Sequence, residues 1–178
     1  MVVIDLSERN TRAMILQWED EKCVVRDYAF LEAPGLVGTL SREQLAEHLK
    51  KLRGALAVKA REAVIVVGMH DAQVRTVELP NSADTSFRTL LKRNANKYFK
   101  QESAELVVDC VPLAFANMST RGVSKEAQVL GVGLGEKLLR LVLAAAKDAG
   151  LSAFVLGSVI TANAGKNVGL RHGTALPD

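Results

Sequence analysis

Three groups of residues in this sequence have types and spacings that could do chemistry. Gly131, Gly133 and Gly135 lead from a strand-like segment into a helix-like one, with Lys137 just beyond. Glycines between a strand and a helix let backbone N–H groups approach a phosphate. The P-loop pattern needs Ser or Thr after its lysine, and Leu138 stands there. Two of the glycines also fall inside the predicted strand, so the run reads as structural. His70 and Asp71 are neighbours in a predicted turn with no nucleophile nearby in sequence. A triad needs three convergent groups, so a structural role is expected there too. The third group is a row of cations, Arg88, Lys92, Arg93 and Lys97, continued by Lys100, with no acid between Asp84 and Glu102. A solvated helix face accounts for such a row. A docking surface for an anionic partner or acidic lipid headgroups accounts for it as well. Aromatics are not interleaved with these cations, so nucleic-acid binding is not expected. Cys23 and Cys110 match no zinc or redox spacing and are expected to be buried, reduced thiols, with no metal site.

The cations ride on a predicted helix with the clearest periodicity in the chain. Phe87, Leu90, Leu91, Ala95, Tyr98 and Phe99 form one apolar stripe. Before it, a strand ends at Glu78-Leu79-Pro80, and Asn81, Ser82 and Asp84 offer helix caps. After it comes a β-rich run, Leu106 to Leu113, so Arg75 to Leu113 reads as strand, turn, helix, strand. Toward the N-terminus, Val2–Asp5 reads as a strand buried on both faces. Thr11–Trp18 and Lys22–Phe30 form a hairpin turned by Glu19, Asp20 and Glu21, with Trp18 over its core. Ser41 and Gln44 fit a capping box on a helix that buries Leu45, Leu49 and Leu52 and exposes His48. Ala63–Val67 reads as a central strand, joined by the tight connection Gly68–Asp71 to the strand Gln73–Leu79. A polar loop, Met118–Lys125, precedes a strand at Ala127–Leu134. The helix Glu136–Ala149 follows, with Gly150 as its left-handed cap. A last strand, Ala153–Leu156, and a short helix, Ser158–Ala164, lead into a glycine-rich, linker-like stretch.

At 178 residues the chain holds one substantial core, or two small subdomains sharing one. Its net charge of +3 does not by itself imply nucleic acid. The start, MVVIDLSERN, matches neither a signal nor a transit peptide, and no apolar run is long enough to span a bilayer. The expectation is a soluble cytoplasmic protein.

The order of these elements resembles the PilM family of type IV pilus assembly proteins, in the FtsA-like branch of the actin fold. The residues that carry the likeness are Glu78-Leu79-Pro80 before the amphipathic helix ending at Lys97-Tyr98, and Ala149-Gly150-Leu151 before the returning strand. The loop between the first two strands, Asp5 to Arg12, adds to it. The resemblance covers roughly residues 1–164. It implies an α/β fold, a mixed sheet with packed helices. Residues 1–62 and 151–164 would form part of subdomain 1A, 63–150 an inserted 1C subdomain, and 165–178 a linker-like tail. It also implies that Asp5, Ser7 and Arg12 stand in the first phosphate loop of an actin-like ATPase. Ser7 and Glu8 replace the family's glycine and small hydroxyl residue there, and Arg12 replaces its lysine. Glu8 would repel a phosphate, and a second phosphate loop is expected to be missing. The implied function is therefore a non-enzymatic scaffold with no catalytic residue. It would bind the short cytoplasmic tail of an inner-membrane partner of PilN type, as a homo-oligomer at the membrane's inner face. Its alternatives are an ATP- and Mg-binding enzyme completed by a second lobe, and the platform domain of a type II secretion system.

Overall fold

The computed structural model describes residues 1–6, 9–20, 22–68, 70–80, 86–99, 106–113 and 126–156. The chain opens with strands β1 (Val2–Leu6), β2 (Asn10–Glu19) and β3 (Lys22–Glu32) and helix α1 (Arg42–Ala55). Strands β4 (Glu62–Val67) and β5 (Ala72–Pro80) follow, then helices α2 (Phe87–Arg93) and α3 (Ala95–Tyr98). Strands β6 (Leu106–Pro112) and β7 (Glu126–Gly135), helix α4 (Glu136–Asp148) and strand β8 (Ser152–Leu156) complete it. Five strands form one sheet in the order β3-β2-β1-β4-β8, and three form a second, β5-β7-β6. The hairpin is antiparallel to β1, whereas β1, β4 and β8 run parallel. Parallel neighbours need a crossover, and everything from β5 to α4 lies in the connection from β4 to β8. The second sheet is thus built inside one crossover of the first.

Period-two alternation aims Val2, Ile4 and Leu6 of β1, Ala13 and Ile15 of β2, and Ala63, Ile65 and Val67 of β4 into one core. Leu45, Leu49 and Leu52 of α1 and Val142, Ala145 and Ala146 of α4 meet them there. Ser41 caps α1 with the reciprocal box expected, a contact worth roughly 1 kcal/mol. Helix α4 ends in a Schellman turn: Gly150 has φ +75°, its N–H reaches Lys147, and the Leu151 N–H reaches the Ala146 carbonyl at 2.9 Å. Ala72, Val132 and Leu134 of the second sheet belong to the same core, so the two sheets share apolar packing.

Several expectations change in three dimensions. The strand at 63–67, read as part of the inserted unit, pairs with β1 and β8 in the larger sheet, and α4 packs on that sheet's core. Its apolar, β-branched run follows from its central parallel position in the larger sheet. The tight turn after β4 therefore links two sheets instead of two strands of one. The helix expected over 87–99 is two helices. Asn94 breaks it at φ −117°, ψ 20°, and its side-chain amide donates to the Leu90 carbonyl at 2.9 Å. The stripe survives the break, since Leu91 and Phe99 are buried together with Val77, Leu79, Val108 and Val129. The N-cap of α2 is Ser86, and the capping candidates Asn81, Ser82 and Asp84 lie outside the described residues. Trp18 is 70% exposed and covers no core. Cys23, paired across strands with Trp18, is likewise exposed, and both cysteines are free. His48, expected at the surface, is buried, because it stands on α1 among Leu45, Leu49 and Leu52. The loop at 118–125, the candidate helix at 158–164 and the tail lie outside the described residues.

Candidate functional site

The candidate phosphate loop begins on β1 and ends on β2. The antiparallel register sets Asp5 directly across from Arg12, and Val66 of β4 flanks Asp5 on the other side. Both side chains leave the sheet on the face opposite the helices. Asp5 is half-buried, and its Oδ1 is a buried oxygen with no hydrogen-bond donor among the described residues. That burial raises its carboxyl above the usual carboxylate range, while the Arg12 guanidinium pulls it part of the way back. Ser7 and Glu8 lie outside the described residues, so two of the three candidate positions, Asp5 and Arg12, are brought together. Chemically this is one cation beside one desolvated acid. Such a pair holds a single anionic oxygen and falls short of the donors that a triphosphate and its metal require. By themselves, Asp5 and Arg12 are not a donor set for a triphosphate and its metal.

The cationic row divides. Arg88 forms a bidentate pair with Asp109 of β6, at 2.7 and 2.8 Å. Its charge is thereby met by an acid remote in sequence. Lys92, Arg93 and Lys97 are exposed, and the Lys97 ammonium lies 5.7 Å from the Tyr98 ring centre. Because Asn94 interrupts the helix, Lys97 belongs to a separate turn from Lys92 and Arg93. Two adjacent cations and a third nearby remain to meet an anionic surface.

The glycine run has a packing explanation. A Cβ on Gly133 would lie 3.0–3.3 Å from the Phe99 ring, and one on Gly131 would crowd Leu91 and Phe99 at 3.2 and 3.4 Å. The glycines form a flat floor for the α2–α3 stripe. His70 and Asp71 lie in the connection between the sheets. Cys110 is partly buried beside Asp109, and desolvation followed by that carboxylate pushes its thiol up to about 11, so it stays protonated at neutral pH. Among the described residues no group of His, Cys, Asp and Glu could hold a metal. Sequence reasoning missed the contact between His48 Nε2 and Thr11 Oγ1, 2.8 Å apart and buried. The signal was Thr11 on the inward parity of β2. Burial, then the Lys51 charge, lowers the imidazole's pKa and keeps it neutral.

A sheet of parallel and antiparallel strands with a second α/β unit inserted in its crossover is a fold shared with proteins of known structure. A chain of the PilM-PilN type IV pilus biogenesis complex superimposes with a TM-score of 0.71 at 19% identity, over 88% of this chain and 46% of that one. The cytoplasmic domain of EpsL, an inner membrane component of the type II secretion system of Vibrio cholerae, matches with a TM-score of 0.48 at 19% identity. That match covers 87% of this chain and 56% of EpsL's. The chain thus spans about half the length of these proteins. No family model matches it, and no curated protein does. The fold expected from the resemblance is the fold found. Among the described residues no helix is long and apolar enough to cross a membrane.

Proposed function

We propose that this chain is a cytoplasmic scaffold of a pilus or secretion platform, binding the short N-terminal tail of an inner-membrane partner. The observation that carries this reading is the PilM-type fold over 88% of the chain, in a complex whose other named member is PilN. Two further features support it. The two sheets share a core at β5, β7 and α4, which gives a preformed seam between units, and such seams are common places for ligands and peptides. Glu8, in the sequence between Asp5 and Arg12, would repel a phosphate, which favours binding over turnover. The exposed cations Lys92, Arg93 and Lys97 suit a protein working beside anionic headgroups at the inner leaflet.

The test is calorimetric titration with a synthetic peptide of the cytoplasmic tail of the inner-membrane protein encoded beside this chain. Saturable one-to-one binding, with no magnesium-dependent ATP turnover, is the expected result. A folded protein that ignores the peptide, or that hydrolyses ATP in a manner abolished by Asp5→Ala, contradicts the proposal.

A further inference from the structure

Strand β1 supports the hairpin only as far as Leu16, whose N–H donates to the Met1 carbonyl at 3.0 Å. Beyond that point, among the described residues, β2 and β3 pair with each other alone, Gln17 opposite Val24 and Glu19 opposite Lys22. The hairpin thus leaves the sheet as a two-stranded arm. A β-bulge marks the exit: Ile15 pairs with Asp27 and Leu16 with Val25, so Arg26 is the extra residue. Its guanidinium runs along one side of the arm, donating to Gln17 Oε1 at 3.3 Å and to Glu19 Oε1. At the base, Asp27 accepts from the Ala57 N–H at 2.7 Å. A lone two-stranded ribbon is marginal in water, and these contacts brace this one. The arm's other side is apolar. Leu16 with Val25 and Trp18 with Cys23 form cross-strand pairs there, and among the described residues neither core takes them in. Val25 is 53% exposed and Trp18, the chain's one tryptophan, 70%. A braced arm with an exposed indole is suited to contact.

Charge decides the kind of contact. Residues 17–27 carry Glu19, Asp20, Glu21 and Asp27 against Lys22 and Arg26, an acidic stretch in a chain of net charge +3. Acids beside an exposed indole attract cations and repel anionic headgroups. We propose that the arm takes a Lys/Arg-rich peptide segment, the juxtamembrane stretch of the inner-membrane partner. Cytoplasmic sequence within about 15–20 residues of a transmembrane end is enriched in Lys and Arg, which is the chemistry that the arm complements. The inference rests on the scaffold reading and gives that partner a second contact, apart from the seam that receives its tail. One cation of the segment lies over the Trp18 ring, another meets Asp20, and an apolar side chain covers Val25.

Trp18, as the one tryptophan, reports the contact directly. The full chain is titrated separately with two synthetic peptides of the inner-membrane protein encoded beside it, its terminal tail and its Lys/Arg-rich juxtamembrane stretch. The juxtamembrane peptide should shift Trp18 emission to the blue and shield it from acrylamide, with an affinity that falls as salt rises. The tail peptide should bind by calorimetry and leave that emission unchanged. Trp18→Ala should weaken juxtamembrane binding about tenfold or more. Asp20→Asn, which keeps a residue at ease with the φ of 45°, should weaken it about two- to fivefold. Both side chains are exposed, so far-ultraviolet dichroism and tail affinity should not change. A tail that binds while the juxtamembrane peptide leaves Trp18 unaltered overturns the arm proposal and spares the scaffold reading. If neither peptide binds, both fall. A blue shift with phosphatidylserine vesicles and none with the peptide also overturns the proposal, making the arm a membrane contact.

Discussion

His48 and Thr11 show what one buried polar contact does to the whole molecule's pH response. The unfolded imidazole takes its proton near 6.5, and the folded one only at lower pH. Between those values the unfolded state holds more protons, so stability falls as pH drops below 6.5. Thermal midpoints measured in steps on the acid side of neutrality should decline. A His48→Gln chain, which keeps a polar partner for Thr11, should show a flatter profile, and an unchanged slope in that variant would place the titration elsewhere. Asp5 acts in the opposite sense at lower pH, because burial raises its carboxyl above 3.8 and protonation then favours the folded chain. At Gly133 the controlling distance is the 3.0 Å to the Phe99 ring. Gly133→Ala should cost about 1–3 kcal/mol by overpacking, read from urea melts, and the cost should shrink in a Phe99→Leu background. Equal costs in both backgrounds would mean that the ring is not what the glycine accommodates. Residue roles of this kind were half legible in the sequence. The mismatch to a P-loop was visible at Leu138, but Phe99 as the reason for the glycines needed the fold.

At the scale of elements, local signals were readable and remote ones were not. The Ser41–Gln44 box, the Gly150 turn and the strand alternation each depend on residues within a turn or two, and all are present where the sequence placed them. The break at Asn94, the Arg88–Asp109 pair and the burial of His48 depend on which elements pack together, and the linear sequence does not state that. The exposed aromatics of the hairpin left one trace: β2 is apolar on both parities at Ala13, Met14, Ile15 and Leu16. Gly150 carries φ +75°, and a Cβ there would also approach the Arg53 guanidinium at 2.8 Å. Gly150→Ala should therefore destabilise by about 1 kcal/mol or more, measured by chemical denaturation. For the α2–α3 cations, each contributes about 1 kcal/mol near an anionic surface, so Lys92→Glu/Arg93→Glu should weaken binding to phosphatidylserine vesicles at least about thirtyfold at low salt. Equal binding by the folded double variant would reduce the row to a solvated face.

For the whole molecule, the α/β class follows from alternation and element order, and the two-unit plan was what the family resemblance implied, while the seam between the units was not legible. The dense apolar run at 63–67 reads as a central strand in either sheet, and only its pairing with Val2–Leu6 assigns it to the larger one. The insertion consequently begins after β4, and its last helix returns to the first core, so the seam is apolar and continuous through Ala72, Val132 and Leu134. A scaffold that captures a partner's tail between units should respond at that seam. Hydrogen exchange with and without the inner-membrane partner's tail peptide tests this directly. The account predicts slowed exchange along the facing parts of both sheets, around β4, the start of β5 and the end of β7, with little change on the α2–α3 surface. Saturating peptide that protects no amide in either sheet, or protects only one of them far from the other, would contradict it.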